Sequence, residues 1–510
     1  MPASGKRSGI TEGGQHMKRV FAILIALCLF ASFAAAEGAP GPALPAAEEL
    51  VVLHHSAAIQ GRELNYTTTT GLMTVDTAGG ACEMFFMAYT LDGVEDLAKR
   101  PVTFAFNGGP GSSSEWVQLG FLAPRRIAVD EDGQAASIPV AIEDNEYSIL
   151  DLTDLVFIDP VGTGYSAPAE GVDLKEFMGY DNDLRSVGAF IRLYTSRYGR
   201  WGSPKYVAGE SYGTTRAVGL AKYLSDTYAM DLNGIMLISC INNMTTLMDT
   251  DNPGDLAYAL YLPTYAADAW YHKKLDGEYQ QKTLEELTAE ARAFAGGEYL
   301  SALFKGRTLG EEERNAVAER LAAFTGLKAE IYLENNLRLK YTDFCQSLLS
   351  DEKLVIGRID GRYTGPLTGG DMGSGDADPS VAALGGVMSA AVNRYISEEL
   401  GYRADWPYVT LDNNVFNMWS FPDNFGGGFS QEKILYETLS KNKFLKVWVL
   451  CGYYDLATPF FNAEWCFNHV FVNSDREANI QFTYYPSGHM IYMHGDSLAR
   501  FRKEAEEWYK

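Results

Sequence analysis

Basic side chains are scarce in this sequence: 42 lysines and arginines stand against 66 aspartates and glutamates, a formal net charge of −24 over 510 residues. That balance argues against nucleic acid and anionic membrane surfaces as partners, because both are held by clustered positive charge. Cysteine is also sparse, at six, and the spacing fits no metal knuckle, so no metal is expected. Only seven histidines are present, so each can be weighed individually as a base. The one long apolar run, Val20 to Phe33, falls short of the roughly 20 residues a spanning helix needs, and stable membrane insertion is not expected.

What is there reads as an ordinary globular chain, 46% hydrophobic and 21% charged, large enough for one big domain with an insertion. Met17 to Ala36 has the three parts of a secretory signal. Lys18-Arg19 is its positive end, Val20 to Phe33 its apolar segment and Ala34-Ala35-Ala36 its cleavage site. Met17 is the expected initiator, residues 1–36 are assigned as signal, and the protein is expected to be exported, either periplasmic or secreted. A lipid anchor through Cys28 is disfavoured by the bulky Leu27 before it. Residues 37–47, rich in Ala, Pro and Gly, read as a flexible leader. Cleavage leaves Cys82, Cys240, Cys345, Cys451 and Cys466, for which an exported location allows one or two disulfides of open pairing.

Between Val51 and Leu91, short Thr-, Tyr-, Phe- and Val-rich segments predict an antiparallel meander. Val102 to Phe106, Leu155 to Ile158, Tyr206 to Ala208, Ile235 to Ser239, Phe444 to Leu450 and Ile480 to Tyr484 are apolar runs of strand length. Amphipathic helices are predicted over Asp183 to Tyr198, after Gly213, and at the C-terminus through Leu498, Phe501, Ala505 and Trp508. Strands alternating with helices predict a doubly wound, mostly parallel sheet. Charged helical stretches, Leu284 to Ala295 and Glu311 to Phe324, and a loose segment, Thr368 to Asp378, mark a different texture. Residues 243–403 are read as a largely helical insertion, a lid over the pocket rather than mere packing, with 48–242 and 404–510 as the core.

The chain is organised around Gly209-Glu210-Ser211-Tyr212-Gly213, set between a strand and a helix. Two glycines there permit a turn tight enough to hold the serine out of the sheet. A serine nucleophile needs a base, and the base needs an acid to fix its tautomer. Asp455 follows the strand near Leu450 and His489 follows the strand ending near Tyr484. His54, His55 and His272 lack such a setting, and His469 and His494 do not directly follow a strand. The oxyanion needs fixed donors. The Tyr212 N–H is one, and the loop Asn107-Gly108-Gly109-Pro110-Gly111 can supply another. No Lys-Ser/Thr follows that loop, so a phosphate-binding loop is disfavoured.

These pieces resemble the serine carboxypeptidase family, an α/β-hydrolase fold. The matching segments are Asn107 to Ser113, Asp159 to Ser166, Gly209 to Gly213, Gly452 to Asp455 and Gly488 to Met490, in family order. The resemblance implies Ser211, Asp455 and His489 as the triad and the Gly109 and Tyr212 N–H groups as the oxyanion hole. It also implies that Asn107, Gly108 and Glu210 bind a peptide's terminal carboxylate, without cofactor or metal. Glu210 would then have to be protonated or share a proton, since an ionised side chain repels a carboxylate. The alternative is an exposed helix-start glutamate favoured by the dipole.

Phe121 stands where the family carries a second glutamate, and Ser112 replaces a family cysteine. Arg125-Arg126 follow closely and are candidates to bind a carboxylate directly. The expectation is a carboxypeptidase acting on peptide substrates through an acyl-enzyme. Its rivals are an esterase or acyltransferase with the same triad and a non-catalytic binding protein. Oligomeric state stays open, a dimer included.

Overall fold

The computed structural model describes residues 50–510 apart from 131–132, 136, 249–253, 368–377 and 423–428. The signal, the leader and nearly all of the loose segment at 368–378 therefore lie outside the described residues. The sheet among the described residues has ten strands, a short one, Ala167–Pro168, pairing with the strand Gly80–Leu91, and nine forming one path: β1 (Val51–Ile59), β2 (Arg62–Thr77), β3 (Gly80–Leu91), β4 (Val102–Phe106), β5 (Asp154–Ile158), β6 (Lys205–Glu210), β7 (Gly234–Ile238), β8 (Lys446–Gly452) and β9 (Ile480–Tyr485). Their spatial order is β1-β2-β3-β5-β4-β6-β7-β8-β9. β1 to β3 form the antiparallel meander, with Val51 opposite Thr70 and Thr69 opposite Ala88. Ala88 of β3 then pairs antiparallel with Val156 of β5. From β5 onward every pairing is parallel.

The parallel strands are covered on both faces, which is why they read as continuous apolar runs. Alternate residues go to opposite sides. Phe104, Val207, Ile235, Val447 and Val449 pack with helices α1 (Tyr180–Arg197) and α2 (Tyr212–Tyr228). Ala105, Ala208, Met236 and Trp448 face the other way, onto Leu498, Phe501 and Ala505 of the C-terminal helix Gly495–Trp508. Phe444 is exposed and the strand starts at Lys446, two residues later than its apolar pattern suggests.

Between β7 and β8 the chain leaves the sheet. Helices α3 (Asp255–Tyr271), Leu284–Phe294 and Glu311–Thr325 share a separate core of Tyr265, Leu287, Phe294, Leu321 and Phe324. The same excursion returns to the sheet's edge at two places. Arg358 and Ile359 accept the main-chain N–H groups of Leu456 and His489, and Val409 and Leu411 bridge to Gly164 and Ser112. All five described cysteines are buried and free, so the expected disulfides do not form.

Candidate active site

Because the six parallel strands point the same way, their carboxyl ends share one edge, where ligands gather in open α/β sheets. Asn107 follows β4, Asp159 follows β5, Ser211 follows β6, Asp455 lies just past β8 and His489 just past β9.

Ser211 has φ 59° and ψ −128°, a left-handed conformation that costs a non-glycine residue about 1–3 kcal/mol. The fold holds it there: its N–H donates to Ile238 O at 3.0 Å, and its carbonyl accepts from Thr214 N at 2.9 Å. A Cβ on Gly209 would sit 2.1 Å from the Gly213 carbonyl oxygen, and one on Gly213 would sit 2.9 Å from that of Asn107. Side chains at either position would break the turn.

Asp455 is wholly buried. Its Oδ1 accepts the N–H groups of Ala457 and Thr458, each at 2.8 Å. Its Oδ2 accepts the Thr458 hydroxyl at 2.6 Å and His489 Nδ1 at 2.8 Å. Burial would raise its pKa, but the charge and hydrogen bond of His489, with the Thr458 donors, hold it below the ordinary carboxylate value. For His489, burial pulls downward, yet Asp455's charge and hydrogen bond, joined by Glu210's charge, leave the imidazole above its usual value. With Nδ1 committed to Asp455, Nε2 is left to accept a proton.

Glu210, the last residue of β6, is 4% exposed, which corrects the picture of an exposed helix-start carboxylate. Its Oε1 accepts Asn107 Nδ2 at 3.0 Å. Burial raises its pKa to about 7 against the opposing influence of His489, Tyr492 and Asn107. Asn107 is fixed from two sides, its Oδ1 accepting Val117 N at 3.0 Å and its carbonyl accepting Arg216 Nη1 at 2.8 Å. A Cβ on Gly108 would lie 2.5 Å from Tyr212 N, so the glycine loop abuts the first residue of α2. That residue's N–H has no partner within the helix. Gly109 has φ +97° in the turn that follows.

Phe121 belongs to an apolar stack, parallel to Tyr492 with ring centres 4.8 Å apart and tilted onto Phe501 at 4.3 Å. The arginine pair goes elsewhere. Arg125 is tied to Glu399 and Asp144, and Arg126 is buried beside Glu143, so neither is among the groups acting on Glu210.

Sequence reasoning missed three contributors. Thr458 orients Asp455. Arg216 donates to Asp183 at 2.8 Å in a fully buried pair and also anchors the Asn107 carbonyl. A single charge within the buried run Tyr212 to Ala221 is the signal that could have found it. Tyr492 lies beside Glu210 and Asn107. Nothing local in the sequence marks it, since its ring is set by stacking on Phe121, far away in the chain.

A mostly parallel sheet covered by helices on both faces, with a strained serine, a buried aspartate and a histidine just past its strand ends, is the α/β-hydrolase fold. Residues 59–314, half of the chain, match the serine carboxypeptidase family, and the chain belongs to that family. It is 30% identical over 227 residues to a pheromone-processing carboxypeptidase of Yarrowia lipolytica, covering 44% of this chain and 33% of that protein. To carboxypeptidase Y of Saccharomyces cerevisiae it is 30% identical over 159 residues, 30% of this chain and 26% of that enzyme. The chain thus matches about a third of the length of these relatives. The crystal structure of a prohormone-processing carboxypeptidase from Saccharomyces cerevisiae superposes with a TM-score of 0.51 and 15% identity, covering 87% of this chain and 91% of that one. That likeness speaks for the fold. Among the described residues, no helix is long and apolar enough to cross a membrane.

Proposed function

We infer that this protein is an exported serine carboxypeptidase that removes C-terminal residues from peptides. In this reading Ser211 Oγ attacks the scissile carbonyl while His489 Nε2 takes its proton. The resulting oxyanion is met by the Gly109 and Tyr212 N–H groups. Collapse of the tetrahedral intermediate breaks the C–N bond, and the imidazolium returns the proton to the leaving amine. Water then hydrolyses the acyl-Ser211 ester by the same steps, and Asp455 stabilises the imidazolium throughout.

The observation that carries the reading is Glu210, a buried carboxyl next to the nucleophile, hydrogen-bonded to Asn107 and raised to about 7. A neutral carboxyl there can donate to a substrate carboxylate rather than repel it. The contact of Ile359, whose carbonyl accepts the His489 N–H at 2.7 Å, supports residues 243–403 as a lid that shapes the pocket. Export rests on the signal pattern of Met17 to Ala36.

The test compares N-blocked dipeptides with their C-terminal amides and simple esters. Strong preference for the acid is expected. Equal cleavage of acid and amide would favour the esterase reading.

A further inference from the structure

Glu210 Oε1 is occupied by Asn107, but Oε2 has no hydrogen-bond partner, although it is buried. The Tyr492 hydroxyl is likewise buried without a full hydrogen bond. It interacts with both Glu210 and Asn107, yet falls short of hydrogen-bond geometry to either. Two neighbouring buried polar groups, neither with a full hydrogen bond, are costly unless something bridges them. Tyr492 is also held with unusual firmness. Its ring lies flat on Phe121, 4.8 Å away at an interplanar angle of 18°. Gly120 leaves room for its edge, since a Cβ there would come within 2.6 Å of Tyr492 Cε2.

We propose that the Tyr492 hydroxyl is a substrate-binding donor, which together with Asn107 and Glu210 grips the terminal carboxylate of the peptide. Phe121 does not leave the subsite one acid short, because it fixes the phenol that replaces that acid. The proposal rests on the carboxypeptidase reading and names one more residue of its recognition site. A phenol differs from a second carboxyl in one respect that matters here: it stays a neutral donor across the working pH range, because burial pushes its pKa well upward. The charged or titratable groups around it are Glu210 and Glu115, with His489 and Asp455 beyond Glu210.

The test is Tyr492→Phe, which keeps the ring stack and removes only the hydroxyl. For an N-blocked dipeptide acid, KM should rise about tenfold with kcat within about twofold, the loss of one hydrogen bond to a charged group. The amide and the ester should be unchanged. An unchanged KM for the acid, or equal losses on all three substrates, would overturn the proposal. If the wild-type protein fails to prefer acid over amide, the carboxypeptidase reading itself falls and takes this one with it.

Two further measurements guard against a disturbed active site. In a Ser211→Ala background, Tyr492→Phe should weaken binding of the peptide acid about tenfold and leave the amide alone. Phe121→Leu, which keeps the hydroxyl but loosens its support, should raise the KM of the acid selectively, and indifference there would count against the idea.

Discussion

Glutamine in place of Glu210 keeps the size and hydrogen-bonding reach of the side chain and removes its titration. In the wild-type protein, burial carries Glu210 from 4.5 to about 7. If only the neutral form accepts a substrate carboxylate, about one molecule in ten remains competent one pH unit above that value. The KM for peptide acids should therefore rise about tenfold between pH 6 and pH 8. Glu210→Gln should abolish that rise, while amides and esters should show no such slope in either protein. Measuring Kd in a Ser211→Ala background separates this effect from His489, which must lose its proton to act as base. A wild-type KM that is flat with pH, or a slope that survives in the glutamine variant, would refute the reasoning.

The same substitution has a stability signature. The unfolded chain releases the Glu210 proton near 4.5, whereas the folded protein retains it to about 7. Stability is therefore lost as pH rises through that window, on the order of 3 kcal/mol in total. The glutamine variant should lack this fall. In denaturant titrations it should match wild type below pH 4.5 and exceed it above pH 7.

Other outcomes follow from the same geometry. Ser211→Ala should lower turnover by ~10⁴ or more, and a protein that kept substantial turnover would need another nucleophile. Asp455→Asn, which mispairs the imidazole tautomer, should lower kcat by about 10⁴ with little change in fold, checked by kinetics alongside circular dichroism. For the ester, kcat/KM should fall as pH drops through the raised His489 pKa, so esters should give a rising curve and peptide acids a bell. Arg216→Ala strands the buried Asp183 carboxylate and frees the Asn107 carbonyl. The expected cost is about 3–5 kcal/mol in urea melts, and a loss below 1 kcal/mol would mean the pair is not held as described.

The doubly wound sheet is legible in the sequence because its strands are buried on both faces, giving apolar runs such as Val102 to Phe106 bounded by glycine or polar loops. Ser211, Asp455 and His489 are readable as candidates for a related reason: each sits just past such a run, where parallel strands end. Tyr492 is not readable. Its role depends on Phe121 and Gly120, far away in sequence, and periodicity carries no information about which side chains meet across a core. The Arg216–Asp183 pair is hidden in the same way, one partner on each of two helices. A signal-like N-terminal pattern predicts disulfides, yet Cys82, Cys240, Cys345, Cys451 and Cys466 are each enclosed as small apolar side chains.

Those five enclosed thiols give the molecule a set of internal clocks. A thiol reagent reaches each one only when its surroundings open. Cys345 sits in the helical excursion's own core, while Cys82 and Cys451 sit in strands of the sheet and Cys240 just beyond β7. The order in which they react would report whether the helical excursion loosens before the sheet does.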